Sequence, residues 1–147
     1  MIVTIVGAGR LAEGIAVRIL AGEHRIRVTD AEPGKAEAFA AGLSARAGRD
    51  ADRTSPSVTF AGVSEAIAGS DVVVLAVPYP QGRAIVREQG AALSGLTVVD
   101  TCNPVDFSTF DSLLTSPGMS AAEEIADANP RARVVKEIGR ASCRERV

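Results

Sequence analysis

Residues 7–12, Gly7-Ala8-Gly9-Arg10-Leu11-Ala12, fit the spacing G-x-G-x-x-G/A. A turn of this kind does its chemistry through the backbone. Gly7 permits a tight reversal, Gly9 lets the chain approach a pyrophosphate, and Ala12 allows a following helix to pack closely on its strand. The exposed N–H groups of the turn, with the positive end of the following helix's dipole, would then meet phosphate charge. Gly14 keeps the same helix face small. An acid, Asp30, follows 23 residues after Gly7. There a carboxylate can take both ribose hydroxyls of NAD and would repel the 2′-phosphate of NADP, so the residues alone favour NAD. Asp30 also suits a turn or a helix cap, and the two roles are compatible. For the glycine motif, the competing reading is a turn with no ligand.

Two further segments carry polar or rigid residues just after apolar runs. Val77-Pro78-Tyr79-Pro80 suits a wall beside a cofactor, its prolines stopping a strand and stiffening the loop. Tyr79 could line a nicotinamide or ribose, or be a half-buried aromatic. In Thr101-Cys102-Asn103-Pro104, Asn103 could hydrogen-bond a carboxamide or a substrate, or form an Asx-turn before Pro104. Cys102 reads as a small buried side chain, because no histidine is placed to activate it. His24, the single histidine, and Asp71 fall at the opposite ends of their strands and read as surface or capping residues. Spacing spells out no Ser-His-Asp set, paired carboxylates or metal cluster, so no catalytic residue and no metal ligand is expected. Hydride transfer between two bound cofactors needs positioning more than acid–base groups.

The elements that must position these residues follow from periodicity. Residues 2–6 form a β-branched run bounded by glycine, as in a strand covered on both faces. Residues 11–21 predict a helix with Leu11, Ile15 and Ile19 on its buried face, ended by Gly22 in a left-handed conformation. A strand at 26–29 leads to Asp30. Pro33 opens a helix whose buried side carries Phe39 and Leu43. Residues 48–57 read as loop, 58–60 as a weak strand, and 64–68 as a short helix. The strongest strand spans 72–77. A helix through Ile85 and Val86, a strand at 96–99, a long loop, a helix near 121–128 and a strand at Val134 and Val135 complete the pattern. Strands alternating with helices imply βαβ units. Right-handed crossovers then give a Rossmann-type α/β fold, a doubly wound parallel sheet of about six strands with ligands at the strands' carboxyl ends.

The chain has 147 residues, 46% hydrophobic and 23% charged, with a formal net charge of −2. That suffices for one domain with its own core. No apolar run approaches the ~18 residues of a membrane helix. Two cysteines make no disulfide framework, and no Cys/His cluster has zinc spacing. A slightly acidic chain with 3% aromatics gives no reason to expect a nucleic-acid partner. The composition predicts a cytoplasmic domain. Residues 138–147 differ from the rest: they are arginine-rich, lack apolar periodicity, and read like a translated sequencing adapter. They are expected to be a non-native tail, leaving 1–137 as the NAD(P)-binding domain. Removing them takes the charge from −2 to −4, because they hold three arginines and one glutamate.

With these motifs in place, the chain resembles the N-terminal half of the NADPH-dependent coenzyme F420 reductase family, itself part of a wider set of small dinucleotide-binding oxidoreductases. The resemblance runs from Met1 to about Lys136. It rests on residues 5–14, residues 71–78, the run Val98-Val99-Asp100-Thr101-Cys102-Asn103-Pro104-Val105-Asp106, Ser120-Ala121-Ala122-Glu123-Glu124 and Ala132-Arg133-Val134-Val135-Lys136. It implies hydride exchange between NADP or NAD and a deazaflavin, coenzyme F420, with the nucleotide over residues 7–12 and the nicotinamide near Pro78 and Asn103. It also implies a helical substrate domain beyond this chain and a homodimer of the full-length protein. Two positions depart from the family. Arg10 stands where relatives often carry Asn and could reach a phosphate oxygen. Thr29-Asp30-Ala31 replaces a Gly-Ser-Arg that grips the 2′-phosphate. A non-catalytic dinucleotide sensor is the competing expectation.

Overall fold

The computed structural model describes residues 1–47 and 57–137. Residues 138–147, and residues 48–56 of the expected loop, lie outside that description. Six strands form one sheet: β1 (Ile2–Val6), β2 (Arg25–Thr29), β3 (Val58–Phe60), β4 (Val72–Leu75), β5 (Thr97–Asp100) and β6 (Arg133–Lys136). Their order is β3-β2-β1-β4-β5-β6 and every pairing is parallel. Among the described residues, five helices connect them: α1 (Arg10–Ala21), α2 (Pro33–Ala47), α3 (Val63–Ile67), α4 (Tyr79–Glu88) and α5 (Ala121–Ala128). This is the Rossmann-type doubly wound sheet that the alternation predicts.

Two apolar clusters cover the two faces. Ile5, Ile26 and Val28 pack with Ala12 and Ala16 of α1 and with Ala36 and Leu43 of α2. Val6, Val73, Leu75 and Val98 pack with Tyr79 and Val86 of α4 and with Ile125 of α5. Because β1 alternates Ile5 and Val6 between these clusters, its residues 3–6 are all buried, as strands covered on both sides require. Thr4 is the polar residue of that run. Its hydroxyl is satisfied by the Ala66 carbonyl at 2.6 Å and by Ser70 Oγ at 2.7 Å.

Four local expectations are corrected. α1 places Ala12 and Ala16 in the core with Ile15 and Ile19 partly buried against it, whereas Leu11 is 53% exposed and Gly14 is also exposed. Close packing of α1 on the sheet selects small residues for the core positions and turns Leu11 outward. The helix does not end on a left-handed Gly22, whose φ is −87°. Glu23 takes that conformation (φ 60°), and its N–H and that of His24 reach the carbonyls of Leu20 and Ile19. The strand of residues 72–77 stops at Leu75, and Pro78 and Pro80 do not stiffen a loop. Pro78 caps α4 and Pro80 lies in its first turn, where a missing N–H costs no helical hydrogen bond.

Candidate functional site

The carboxyl edge of the sheet holds a pocket of about 500 Å³ between the ends of β1, β2 and β4. Gly7, Ala8 and Gly9 form its floor. Gly7 has φ +109°, and a Cβ there would lie 2.3 Å from the Ala76 carbonyl oxygen, so both its conformation and its contact with the end of β4 demand glycine. Its N–H donates to the Thr29 carbonyl at 2.7 Å. Gly9 differs: a Cβ built on it would meet nothing within 4 Å. The fold alone therefore does not require glycine at 9, and the missing side chain leaves the pocket floor open.

Gly9 is the N-cap of α1 and no side chain caps that helix. The first N–H to find a backbone partner is that of Glu13, which donates to the Gly9 carbonyl at 3.0 Å. The N–H groups of Arg10, Leu11 and Ala12 thus remain as donors at a helix N-terminus. The side chains of Arg10 and Leu11 lie instead along a groove on the outer face of α1. Arg10, Leu11 and Ala12 do not line the pocket, which reaches α1 only at its N-cap Gly9, and Ala12 is fully buried.

Asp30 closes the opposite wall, with a side chain only 11% exposed. Its Oδ2 accepts the Ala8 N–H at 2.9 Å and its Oδ1 accepts the Glu32 N–H at 3.1 Å. The Lys35 ammonium lies 3.5 Å from Oδ2. Burial opposes the charge, yet the Glu32 and Ala8 N–H groups and Lys35 prevail and hold the carboxyl below the usual carboxylate range. The turn role of Asp30 is therefore real, and it pins the glycine loop to the end of β2. Arg27 points elsewhere: its guanidinium donates to the carbonyls of Ala66 and Ala68 at the end of α3.

Val77 and Pro78 line the β4 side of the pocket, together with Val63, Gln81 and Ile85. The last three, and Lys35, were not among the residues the sequence motifs singled out. The available signal was helical spacing, since Val77, Gln81 and Ile85 recur every four residues.

Tyr79 does not line this pocket, which corrects one of the two roles left open for it. It is 2% exposed and packs in the core under α4. Its hydroxyl donates to Glu124 Oε2 and borders a separate hollow between α4 and α5. Burial, then the Glu124 carboxylate, push its pKa up to about 12. Glu124 is 4% exposed, and its Oε1 accepts the Ser116 N–H at 2.5 Å. Arg83 stands 3.4 Å from Oε2. The Tyr79 hydroxyl, then the Ser116 N–H, lower the Glu124 pKa to about 2.

Asn103 and Pro104 lie one strand further along the same edge, outside the pocket wall, with Asn103 exposed and Pro104 half-buried. The Asn103 side chain makes no hydrogen bond among the described residues, so the Asx-turn alternative is absent. An ion pair between buried Asp100 and exposed Lys136 holds their loop instead. Asp100 is fully buried, accepting the Cys102 N–H at 2.8 Å and the Lys136 ammonium at 3.0 Å. Lys136 also donates to the Cys102 carbonyl at 2.6 Å, and Thr101 Oγ1 to the Leu75 carbonyl at 2.7 Å. Cys102 is buried, and burial, then Asp100, raise its thiol to about 12, a poor nucleophile. At the far edge of the sheet, Asp71 accepts the Ile2 N–H at 2.7 Å.

Comparison with known proteins places this geometry. No curated protein matches the sequence. Among solved structures, a hypothetical protein, SMa0349, of Sinorhizobium meliloti is 28% identical with a TM-score of 0.73, over 92% of this chain and 60% of that one. A protein described as an F420-dependent NADP reductase from Arthrobacter sp. FB24 is 23% identical with a TM-score of 0.69, over 91% and 60%. Lactate dehydrogenase of Eimeria maxima, solved with NADH and oxamate, shares the fold at 16% identity and a TM-score of 0.71, over 94% and 43%. The chain thus spans about 60% of the length of the first two. No helix among the described residues is long and apolar enough to cross a membrane. The model of the family described as NADP oxidoreductase, coenzyme F420-dependent, matches residues 2–104, and the chain belongs to that family.

Proposed function

We propose that residues 1–137 are the dinucleotide-binding domain of an oxidoreductase and that the pocket over Gly7, Ala8 and Gly9 holds a nicotinamide dinucleotide, NADH in preference to NADPH. One observation carries this reading. The free N–H groups of Arg10, Leu11 and Ala12 stand behind a Gly9 whose absent side chain leaves an opening that the fold itself does not need. A pyrophosphate fits both the charge and the room. Ala8 and Asp30, already joined, hold the loop at the height where the adenine-side ribose would meet the carboxylate. Asp30 in place of a serine–arginine pair disfavours a 2′-phosphate.

When bound, the cofactor supplies a hydride, which passes with its electron pair to a second substrate such as the deazaflavin coenzyme F420. The chain's own part is to bind and orient. Val77 and Pro78 wall the cofactor toward β4. Asn103, whose amide has no hydrogen-bond partner among the described residues, stands at the next strand end to hydrogen-bond the carboxamide. The longer relatives motivate a second domain, with a homodimer, to enclose the substrate, so this chain alone is expected to bind but to turn over slowly.

Titration of the chain with NADH and NADPH, followed by calorimetry or nicotinamide fluorescence, tests the reading. Binding of NADH at micromolar to submillimolar levels is expected. No binding of either at millimolar concentration overturns it, and tighter NADPH binding overturns the preference alone.

A further inference from the structure

The pocket is chemically divided. Toward β1 and β2 it is lined by the glycine turn, Asp30 and Lys35, and toward α4 it is aliphatic, with Val63, Val77 and Ile85. Within the aliphatic part sits one amide, Gln81, four residues after Val77 and four before Ile85. Its side chain has no hydrogen-bond partner among the described residues, whereas Asp30 and Lys35 are committed to each other.

We propose that Gln81 is a specificity-determining residue that reads the edge of the adenine base, which Val63 and Ile85 clasp by its faces. The inference rests on the dinucleotide reading of this pocket. Adenine displays its N6 amino donor beside a ring-nitrogen acceptor. A primary amide matches that pair: its carbonyl accepts from N6 and its NH2 donates to the ring nitrogen. An aliphatic wall cannot distinguish one flat base from another, so a lone amide set in it supplies the discrimination.

The test compares NAD with its 1,N6-etheno counterpart, in which N6 no longer carries a hydrogen, and with ADP-ribose, which keeps the adenine and lacks the nicotinamide. Dissociation constants are measured calorimetrically for the full chain and for Gln81→Leu and Gln81→Glu. Gln81 is exposed, and thermal unfolding checks that both variants fold. The wild-type chain should bind NAD about tenfold tighter than the etheno form. Gln81→Leu should bind the two alike and should weaken ADP-ribose by the same tenfold. Gln81→Glu, which keeps the acceptor for N6 and loses the donor, should weaken NAD but keep a preference for it over the etheno form. A preference that survives in Gln81→Leu, or its absence in the wild type, overturns the proposal while leaving the dinucleotide site intact. Failure of the wild type to bind any of the three ligands overturns the underlying reading instead.

Discussion

The carboxyl edge of this sheet is built in two ways. On the β1–β2 side, the chain leaves donors unused: three N–H groups at the start of α1 have no backbone acceptor, next to the pocket that Gly9 lines. On the β5–β6 side, the buried polar groups are answered from within the protein. Asp100 is shared between Cys102 and Lys136, and Glu124 between Tyr79, Ser116 and Arg83. Unsatisfied donors in a pocket mark a place for a ligand, while satisfied networks brace a loop. Charge and burial alone would have pointed to the β5–β6 side, since Glu124 and Asp100 are the more buried acids. What separates the sides is whether the protein already supplies the partner.

The sharpest way to break this contrast is Lys136→Met. It strands a fully buried carboxylate and removes a donor from the Cys102 carbonyl. Loss of about 3 kcal/mol in urea unfolding is expected, with the NADH dissociation constant of the folded variant changed less than about threefold. A loss of binding with stability intact would place Lys136 on the ligand side of the comparison.

Glu124→Gln probes the same brace through pH. The folded protein holds this carboxyl at about 2, below its ordinary 4.5. A depressed pKa means that the ionised form is the one the fold prefers. Its stabilisation is therefore complete above about pH 4.5 and is lost as pH falls toward 2. Unfolding free energy of the wild type should decline through that window. The variant should be less stable at neutral pH and show a shallower acid limb. Two parallel curves would show that Glu124 is not the group that titrates.

Much of the proposed binding side is legible in the sequence because its chemistry is local in the chain. The spacing of Gly7, Gly9 and Ala12, and an acid at the end of the second strand, fall within one βαβ unit. The brace is assembled across the fold. Asp100 and Lys136 meet only because β5 and β6 pair in register, and Glu124 meets Tyr79 only because α5 packs on α4. Asp100 did carry a signal, since an acid closing a Val-Val strand must find a partner, but nothing in the spacing names Lys136. Tyr79 was open to misplacement for the opposite reason. Its neighbour Pro78 lines the pocket, and one residue of helical rotation turns Tyr79 into the core.

Gly9→Ala sharpens the comparison from the binding side. A Cβ at this position meets no protein atom within 4 Å, so the fold should lose no more than about 1 kcal/mol, the scale of a poorer N-cap. The same methyl occupies the approach to the first-turn N–H groups. NADH affinity should fall about thirtyfold, or ~2 kcal/mol, the reverse of the Lys136→Met pattern. Unchanged affinity would mean that the opening at Gly9 does not admit the pyrophosphate.

A finer effect is expected from Asp30→Ser combined with Ala31→Arg, which replaces the carboxylate by a hydroxyl and adds a cation at the mouth of the pocket. In the present protein, Lys35 is drawn to Asp30 Oδ2 at 3.5 Å, so its charge is largely cancelled where a 2′-phosphate would sit. Removing the carboxylate frees Lys35, and the introduced guanidinium would add a second donor, so the NADPH-to-NADH affinity ratio should rise about tenfold or more. The substitution also removes the acceptor that ties the Ala8 N–H at 2.9 Å, so NADH binding itself should weaken through a looser glycine loop. The two consequences separate in a titration. Weaker NADH binding with no gain for NADPH would show that Asp30 serves the loop alone. A gain for NADPH at unchanged NADH affinity would show that Asp30 acts by repelling the 2′-phosphate alone and is needed by neither the ribose nor the loop.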